Sequence, residues 1–354
     1  MRTFFQRASG ALLISVVAAS MVGGELPSSS RGRTNVDHGA SPRETDQPAA
    51  TDAKPKRRPR GRLAATQVPA RYDRLHVFGG LGAWVDLYDY EHLHPARTVR
   101  LLKRKGVRTL YVQTGWPSTR SPVVPAAGRW LVAGHRAGLK VVGWYLPHYR
   151  NLREDVRRTI AIARYRRHGH RFDGLGIDVE FRGALRSRAT WMRRVAHHSR
   201  IVRARRPRFP IASIPPTPLQ MQVAPSYWKG FPWRAVAKNS DAILLMSYWS
   251  DRSGCPRIRR HCAYEFTKRN VRLTRRLSGV PRMPIHIIGG VGDSISGKQL
   301  RAFVRGAIDG GADGASIYDL VTTRRAWWRP LGKLRRLGGP GKERVPKKQA
   351  SRPG

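Results

Sequence analysis

The chain has 354 residues, and 68 Lys and Arg against 22 Asp and Glu give it a formal net charge of +46. Its length allows one barrel-sized domain plus tails, and a hydrophobic content of 40% is enough for a globular core. Such a charge favours polyanionic surroundings. The basic residues are nevertheless spread along the whole chain and match no helix-turn-helix, zinc-finger or RNA-binding signature, which argues against a specific nucleic-acid partner.

The N-terminal segment has the pattern of an export signal. Arg2 and Arg7 precede an apolar run at residues 11–22, and small residues follow it. The run is short for a bilayer span but has the length of the apolar part of a signal peptide. The sequence predicts that residues 1–24 are a signal peptide or, if uncleaved, an N-terminal anchor, which would be the only contact with a membrane. We expect a secreted or cell-envelope associated protein.

Two further segments are too polar to fold by themselves. Residues 25–71 are rich in Pro, Arg, Ser and Ala, and residues 339–354 are similarly basic. Segments with so few large apolar side chains bury too little surface to offset the entropy lost on ordering. We therefore expect a disordered Pro/Arg-rich linker and a disordered basic tail on either side of a domain at residues 72–338. These basic segments would hold the protein against anionic cell-wall polymers.

The domain at residues 72–338 alternates strand-like and helix-like segments. Eight short stretches rich in Val, Ile, Leu and Tyr predict strands, and several of the helical stretches between them end at Gly. This alternation favours a (β/α)8 TIM barrel over an open doubly wound sheet, which usually has fewer strands. The cluster Gly79–Gly82 lacks the full phosphate-binding fingerprint, and we interpret it as a tight turn. The predicted strands are Leu75–Phe78, Thr109–Gln113, Lys140–Tyr145, Gly174–Val179, Pro210–Ile214, Ala242–Ser247, Ile285–Ile288 and Ala315–Tyr318.

The fourth predicted strand ends in two acids. Residues 172–180 read Phe-Asp-Gly-Leu-Gly-Ile-Asp-Val-Glu, so Asp178 and Glu180 are two residues apart. Because alternate residues of a strand point the same way, both carboxyl groups are expected to project together from a buried strand. Such a pair can do acid–base chemistry, since one group can hold a proton while the other stabilises charge.

The carboxyl ends of the predicted strands carry acids and aromatic rings, and barrel enzymes place their chemistry at these ends. Acids are scarce in this chain, yet several fall at this one rim. Aromatic rings stack on the C–H faces of sugars and carboxylates accept hydrogen bonds from hydroxyls, whereas a phosphate ligand would require Arg and backbone amides. The rim therefore favours a carbohydrate. The predicted substrate-binding residues are Trp84, Asp86, Gln113, Trp116, Tyr145, Trp249, Tyr318 and Asp319.

Two motifs resemble those of family 18 glycoside hydrolases, the chitinases and their relatives. Residues 172–180 resemble the family's strand-four signature Asp-Gly-x-Asp-x-Asp-x-Glu, with matches at Asp173, Asp178 and Glu180. Met-Ser-Tyr-Trp at residues 246–249 resembles the family's strand-six Met-x-Tyr-Asp. Two positions depart from the pattern, since a Gly replaces the middle acid of the signature and a Trp replaces the acid that follows the tyrosine.

The resemblance implies a (β/α)8 barrel that cleaves an N-acetylated amino sugar with the help of the substrate's own acetamido group. Glu180 would donate a proton to the glycosidic oxygen. Asp178 would orient and polarise the N-acetyl group that attacks the anomeric carbon, and Tyr248 would hydrogen-bond the same group. The implied substrate is a chitin-like polymer or peptidoglycan, and no cofactor is implied. The Asp-x-Glu pair also resembles family 25 lysozymes, although the Phe-Asp-Gly lead-in favours family 18.

The sequence offers two alternatives to a glycosidase. A non-catalytic, wall-associated carbohydrate-binding barrel would keep the aromatic rim and need no acid catalyst, and the substitution at Gly176 favours this alternative. His92 and His94 could form a metal pair, but the fifth and sixth strands supply no further histidine, so we expect no metal site. His286 lies inside the seventh strand and is expected to be a hydrogen-bonded core residue.

The chain has two cysteines, Cys255 and Cys262. In an exported protein their spacing suits one disulfide that closes a small loop. A metal site would need two more ligands, and the nearby His261 adjoins Cys262, where its geometry is poor. We therefore predict a disulfide.

Overall fold

The computed structural model describes residues 77–183, 185–249, 262–291 and 295–338. Eight parallel strands form a closed barrel in chain order, and the last strand pairs with the first. The predicted (β/α)8 barrel is confirmed. The strands are β1 Gly80–Val85, β2 Thr109–Gln113, β3 Lys140–Tyr145, β4 Gly174–Asp178, β5 Ile211–Ile214, β6 Ala242–Ser247, β7 Ile285–Val291 and β8 Gly314–Tyr318.

Helices connect the strands and cover the outside of the barrel. The capping side chains of Asn151 and Ser187 accept backbone N–H groups in the first turns of the helices that begin at Leu152 and Arg188, which explains where these two helices begin. None of the helices in the described ranges is long and apolar enough to cross a membrane. The helices are α1 Pro95–Arg104, α2 Pro125–Arg136, α3 Leu152–Arg164, α4 Arg188–Arg205, α5 Pro218–Val223, α6 Pro225–Trp228, α7 Trp233–Lys238, α8 Cys262–Ser278, α9 Gly297–Gly310 and α10 Trp328–Leu331.

The first strand lies further along the chain than the sequence predicts. Val77 and Phe78 precede β1, and the glycine cluster interpreted as a tight turn belongs largely to the strand itself. A Cβ atom on Gly82 would lie 2.7 Å from Cε2 of Tyr111 and 3.0 Å from Cε1 of His286. The glycine is therefore required by side-chain packing inside the barrel, and the interpretation as a turn is wrong.

Side chains of each strand alternate between the barrel interior and the layer between strands and helices. In strand β4, Leu175, Ile177 and the following Val179 belong to the large apolar core shared with the helices. Gly176 faces the opposite way, towards Ile214 and Trp144. Asp178, two residues beyond Gly176, therefore also faces the interior.

Three aspartates, which we call the base aspartates, stand immediately before β4, β6 and β8 at the amino-terminal end of the barrel. Each accepts a hydrogen bond from a backbone N–H at the start of the preceding strand, so each joins two strands. The pairs are Asp173 with Val141 at 2.8 Å, Asp241 with Ile211 at 2.9 Å and Asp313 with Ile285 at 3.0 Å.

Every base aspartate also contacts a basic side chain. Asp173 lies 2.8 Å from Nε2 of His135 and 3.1 Å from Nζ of Lys140. Burial opposes ionisation of Asp173, but the hydrogen bonds from His135, Val141 and Lys140 outweigh it and lower the pKa of this carboxyl group. The other two ion pairs are Arg203 with Asp241 at 2.5 Å and Arg275 with Asp313 at 3.0 Å.

His286 lies inside the barrel near the same end and is 1% exposed. Its Nε2 lies 2.8 Å from Oγ of Ser316, and its Nδ1 lies 2.8 Å from the carbonyl oxygen of Phe78. Burial lowers the pKa of this imidazole to about 4, so the ring is neutral at physiological pH. The prediction that His286 is a hydrogen-bonded core residue is confirmed.

Candidate active site

Asp178 is the last residue of β4 and is 6% exposed. Its Oδ1 has no hydrogen-bond partner within the part of the chain that the structure describes. Burial raises the pKa of this carboxyl group well above its usual value, and the nearby negative charge of Glu180 raises it further. A buried carboxyl oxygen without a hydrogen-bond partner lowers the stability of the fold. A ligand that supplied the missing hydrogen bond would recover this free energy.

Glu180 lies one strand step nearer the carboxyl end. The backbone N–H of Val179 donates to the carbonyl of Ile214 at 3.0 Å, so strand pairing continues beyond β4 and Glu180 shares the face of Asp178. Glu180 is half-buried. The hydroxyl of Tyr227 donates to the carbonyl oxygen of Glu180 at 3.4 Å, which ties the residues after the strand to helix α6. The structure thus brings the two predicted acids together at the open end of the barrel.

The floor beneath Asp178 is apolar. A Cβ atom on Gly176 would lie 2.8 Å from Cδ1 of Ile214 and 3.1 Å from Cβ of Trp144. The space that a side chain at this position would need is therefore already filled, and no third carboxyl group stands below Asp178 on this strand. Desolvation by these neighbours favours the protonated form of Asp178.

Two unpartnered hydrogen-bond donors lie in β2 and β3, on one side of β4. Nε2 of Gln113 and Nε1 of Trp144 are buried and make no hydrogen bond to any described residue. Gln113 pairs in register with Trp144, and Trp144 pairs with Gly176. The neighbouring strands β2, β3 and β4 thus present two hydrogen-bond donors and one carboxyl group close together. Such a set of groups suits a ligand rich in oxygen atoms.

Tyr318 and Asp86 form the opposite wall. The hydroxyl of Tyr318 donates to Oδ2 of Asp86 at 2.7 Å, and Oδ1 of Asp86 accepts the backbone N–H of Tyr88 at 2.9 Å. The ring of Tyr318 lies 6.2 Å from that of Tyr248, so the predicted acetamido-binding tyrosine faces the same interior. Burial raises the pKa of Asp86, although its three hydrogen bonds oppose the shift. This wall is built from hydrogen-bonded polar groups, unlike the floor below Asp178.

Trp84 lies deeper than a rim residue. It is 2% exposed, its ring stacks on Tyr111 at 4.2 Å and its Nε1 donates to Oγ of Ser316 at 2.8 Å. Its partners are all barrel residues. Trp84 therefore supports the floor of the cavity from within the strand layer.

Asp319 follows β8 and belongs to an acidic cluster. Its carboxylate oxygen lies within 4.8 Å of carboxylate oxygens of Asp86 and Asp89. Asp319 accepts the backbone N–H of Thr322 at 2.9 Å, and Asp89 accepts that of Asp86 at 3.2 Å. These hydrogen bonds order the loops after β1 and β8, which form one side of the rim.

A pair of aromatic rings stands at the rim above β2. Tyr88 is 42% exposed and its ring centroid lies 6.0 Å from that of half-buried Trp116. The buried guanidinium of Arg158, on α3, donates to the carbonyls of Trp116 at 3.3 Å and Thr119 at 2.5 Å. The loop that carries Trp116 is thereby held against the barrel.

Two predicted substrate-binding residues face away from the cavity, and for them the prediction is wrong. Tyr145 is 1% exposed and its hydroxyl donates to Oδ1 of Asp155 at 2.9 Å, in the layer between strands and helices. Trp249 is 2% exposed and stacks on Phe303 of α9 at 5.1 Å. Each is the strand neighbour of an inward residue. Trp144, the inward neighbour of Tyr145, is not among the residues predicted from the sequence; its signal is its place one residue before the end of a strand.

The predicted disulfide is not tested by the structure. Cys262 is the first residue of α8. Cys255 lies outside the described residues, as do the predicted signal segment, linker and C-terminal tail. These assignments stay predictions.

Comparison with known proteins gives a likeness of fold. No family model and no curated protein matches the chain. Solved structures do match, among them an endo-beta-1,4-mannanase from Thermotoga petrophila, with 13% identity, a TM-score of 0.53 and coverage of 68% of both chains. A class V chitinase from Pseudomonas fluorescens matches with 9% identity and a TM-score of 0.53, over 72% of this chain and 99% of that one.

A family 18 chitinase from Cycas revoluta, solved in complex with (GlcNAc)4, is similar to the same degree. It has 13% identity and a TM-score of 0.51, over 72% of this chain and 98% of that one. At such identities the likeness concerns the fold. The chain therefore folds as a barrel similar to those of several glycoside hydrolases, chitinases among them.

Proposed function

We propose that the protein is an exported glycoside hydrolase that cleaves a polysaccharide containing N-acetylated amino sugars, either chitin-like or peptidoglycan. One observation carries the proposal. Asp178 is buried at the end of β4 with an unpartnered oxygen, and Glu180 stands one strand step nearer the opening. The chitinases with the same fold, one of them bound to (GlcNAc)4, support a substrate of this class.

The two acids would divide the chemistry between them. Because each carboxylate disfavours ionisation of the other, the pair holds one proton in the resting state. When this proton passes from Asp178 to Glu180, Glu180 donates it to the glycosidic oxygen as the bond to the leaving sugar breaks. Asp178 is then ionised and stabilises the positive charge that develops on the acetamido group as the acetamido oxygen bonds to the anomeric carbon. Water later opens this intermediate, and Glu180 accepts its proton.

The remaining inward groups would hold the sugar in place. Tyr248 would donate to the acetamido oxygen, while Trp144 and Gln113 would donate to hydroxyl or carbonyl oxygens. Trp116 and Tyr88 would stack on a neighbouring sugar unit at the rim. Closing the cavity around these contacts would exclude water, which strengthens the electrostatic interactions of Asp178 and Glu180.

Export and retention at the wall complete the proposal, and both depend on sequence alone. Residues 1–24 would direct secretion. The basic linker at residues 25–71 would bind anionic wall polymers by charge attraction, which salt screens. High salt should therefore release the protein from isolated cell walls.

The substitution Glu180→Gln tests the catalytic assignment. With chitin or peptidoglycan oligosaccharides as substrate, we expect it to lower turnover by roughly a hundredfold or more, because a positioned proton donor contributes about that much. Oligosaccharide binding should remain. Glu265→Gln, a half-buried glutamate on α8, is the matched control and should keep full activity. Unchanged turnover in the Glu180 variant would refute the assignment.

The second candidate is a carbohydrate-binding barrel without catalysis. It is favoured by the filled space at Gly176, because Ile214 and Trp144 stand where the resembling family has an acid. The same oligosaccharides distinguish the two functions. Binding to the wild-type protein with no cleavage products, at any pH at which it stays folded, would establish the binding function and exclude the glycosidase.

A further inference from the structure

A groove runs along the outside of the barrel between α3 and α4, away from the cavity at the carboxyl ends of the strands. Its volume is about 860 Å³, within the range typical of ligand sites. The residues of α3 that line it form two series with a spacing of three or four positions, 152/156/160/164 and 153/157/161/164, so they make one stripe along the whole helix. The apolar part of its lining is Leu152, Val156, Ile160, Ala161 and Ile201.

Arginines surround this apolar floor. Arg153 and Arg164 on α3 and Arg205 on α4 are exposed and line the groove. The side chains of these three arginines make no hydrogen bond or ion pair with another of the described residues. Arg157, also on the lining, donates to Glu154 at 2.6 Å and is the one rim arginine with an acidic partner there. The groove therefore combines an apolar floor with unneutralised positive charge.

We propose that this α3–α4 groove binds an anionic phospholipid, with an acyl chain against the floor and the phosphate on the arginines. Guanidinium groups bind phosphate through paired N–H donors. An acyl chain would cover Leu152 and Ile201, which are half-buried, and gain the free energy of burying the rest of their apolar surface. A soluble polyanion such as a wall polymer would satisfy the arginines but leave the floor in water, which is why a lipid fits better. The proposal does not depend on the glycosidase assignment.

The first test measures binding of monomeric dodecyl phosphate to the full chain by calorimetry. The triple variant R153Q/R164Q/R205Q should bind at least about tenfold more weakly than wild type, because it loses charge-assisted hydrogen bonds to the phosphate. Thermal unfolding should be close to that of wild type, since all three side chains are exposed and unpaired.

The matched control removes the same charge from the opposite side of the barrel. Arg272 and Arg276 on α8 and Arg301 on α9 are also exposed and have no partner among the described residues. R272Q/R276Q/R301Q should bind dodecyl phosphate like wild type. Equal weakening in both triple variants would mean that only net charge matters, and would overturn the proposal.

The second test examines the apolar floor and the source of the phosphate. Ile201→Gln keeps the charge and should also weaken dodecyl phosphate binding, whereas inorganic phosphate should compete poorly. Vesicles of phosphatidylcholine and phosphatidylglycerol should retain wild type and the control variant more strongly than the groove variant. Equal competition by inorganic phosphate, or equal vesicle retention, would overturn the proposal. So would a change of oligomeric state in the groove variant, which would assign the groove to a second copy of the chain.

Discussion

The two ends of the barrel use aspartate in opposite ways. At the amino-terminal end, each base aspartate accepts a backbone N–H and contacts a basic side chain. At the carboxyl end, Asp178 is buried like Asp241 (6% and 2% exposed) but has an unpartnered oxygen and an acidic neighbour, Glu180. The difference teaches that burial alone does not distinguish the aspartates of the two ends; the partners of their carboxyl groups do.

The energetic consequence follows from hydrogen bonding. A buried carboxylate that keeps its partners contributes to stability, whereas one left without them costs about 1–3 kcal/mol. The chain tolerates this cost at Asp178, and Gln113 and Trp144 on the neighbouring strands also keep unpartnered donors. The amino-terminal end of the barrel, which we call the base, is therefore expected to determine stability. The carboxyl end with Asp178 and Glu180, which we call the mouth, is expected to determine ligand binding.

The largest expected effect is a loss of stability on substitution of a base aspartate. Asp241→Asn removes the charge that faces Arg203 and should lower the free energy of unfolding by about 3 kcal/mol, since it breaks a buried ion pair. Chemical denaturation measures this. Glu91→Ala, at an exposed position, should change stability little. A loss below that of the control variant would contradict the division between base and mouth.

A smaller effect is expected at the floor of the mouth. Gly176→Asp restores the acid of the resembling family but meets Ile214, so it should cost about 2 kcal/mol through overpacking. Adding Ile214→Ala makes room, and the double variant should be less destabilised than the sum of the two single variants. A double-mutant cycle by chemical denaturation measures the coupling. Strict additivity would show that Ile214 does not occupy the space of the missing acid.

The outward-facing tyrosine offers a test of orientation. Tyr145→Phe loses the hydrogen bond to Asp155 and should lower the free energy of unfolding by about 1 kcal/mol, with oligosaccharide binding unchanged. Trp116→Ala should do the reverse, weakening oligosaccharide binding with little effect on stability. Calorimetric titration and chemical denaturation on both variants check this pair. Weaker oligosaccharide binding by Tyr145→Phe would show that Tyr145 belongs to the binding site after all.

The smallest effect concerns the pH dependence of stability. The pKa of Asp178 is raised in the folded state, so the folded protein holds a proton that the unfolded chain releases above the usual pKa of Asp. Stability from this group is complete below that pKa and is lost as the pH rises through the folded pKa. Asp178→Asn removes this pH-dependent loss. The free energy of unfolding of the variant, relative to that of wild type, should therefore increase with pH. Unfolding measured across pH 4 to 8 would refute this if the two curves stay parallel.

Much of the architecture follows from the sequence because strands and helices alternate so regularly. Seven strands lie where apolar runs predict them, and the orientation of Asp178 and Glu180 follows from alternation alone. β1 is missed because glycine suggests turns, whereas Gly82 is required by the distant side chains of Tyr111 and His286. Contacts between residues so far apart in the chain cannot be deduced from a local pattern.

The two wrong site residues have different causes. Trp249 directly follows Tyr248, and neighbours on a strand face opposite sides, so both could not line one cavity. The direction in which Tyr145 points depends on the register of β3, which is fixed only by the pairing of β3 with β2 and β4. The base aspartates could have been recognised, because an Asp followed by Gly or Ala opens three of the eight strands.

Arg158 has a consequence for how tightly a sugar can be held at the rim. Because it fixes the carbonyls of Trp116 and Thr119 before any ligand arrives, the aromatic surface formed with Tyr88 is preorganised. A sugar that stacks there need not order the loop, so less conformational entropy is lost on association. On the proposed function, the affinity for the outer sugar unit would thus be controlled from a helix on the outside of the barrel, through one guanidinium group that does not contact the ligand.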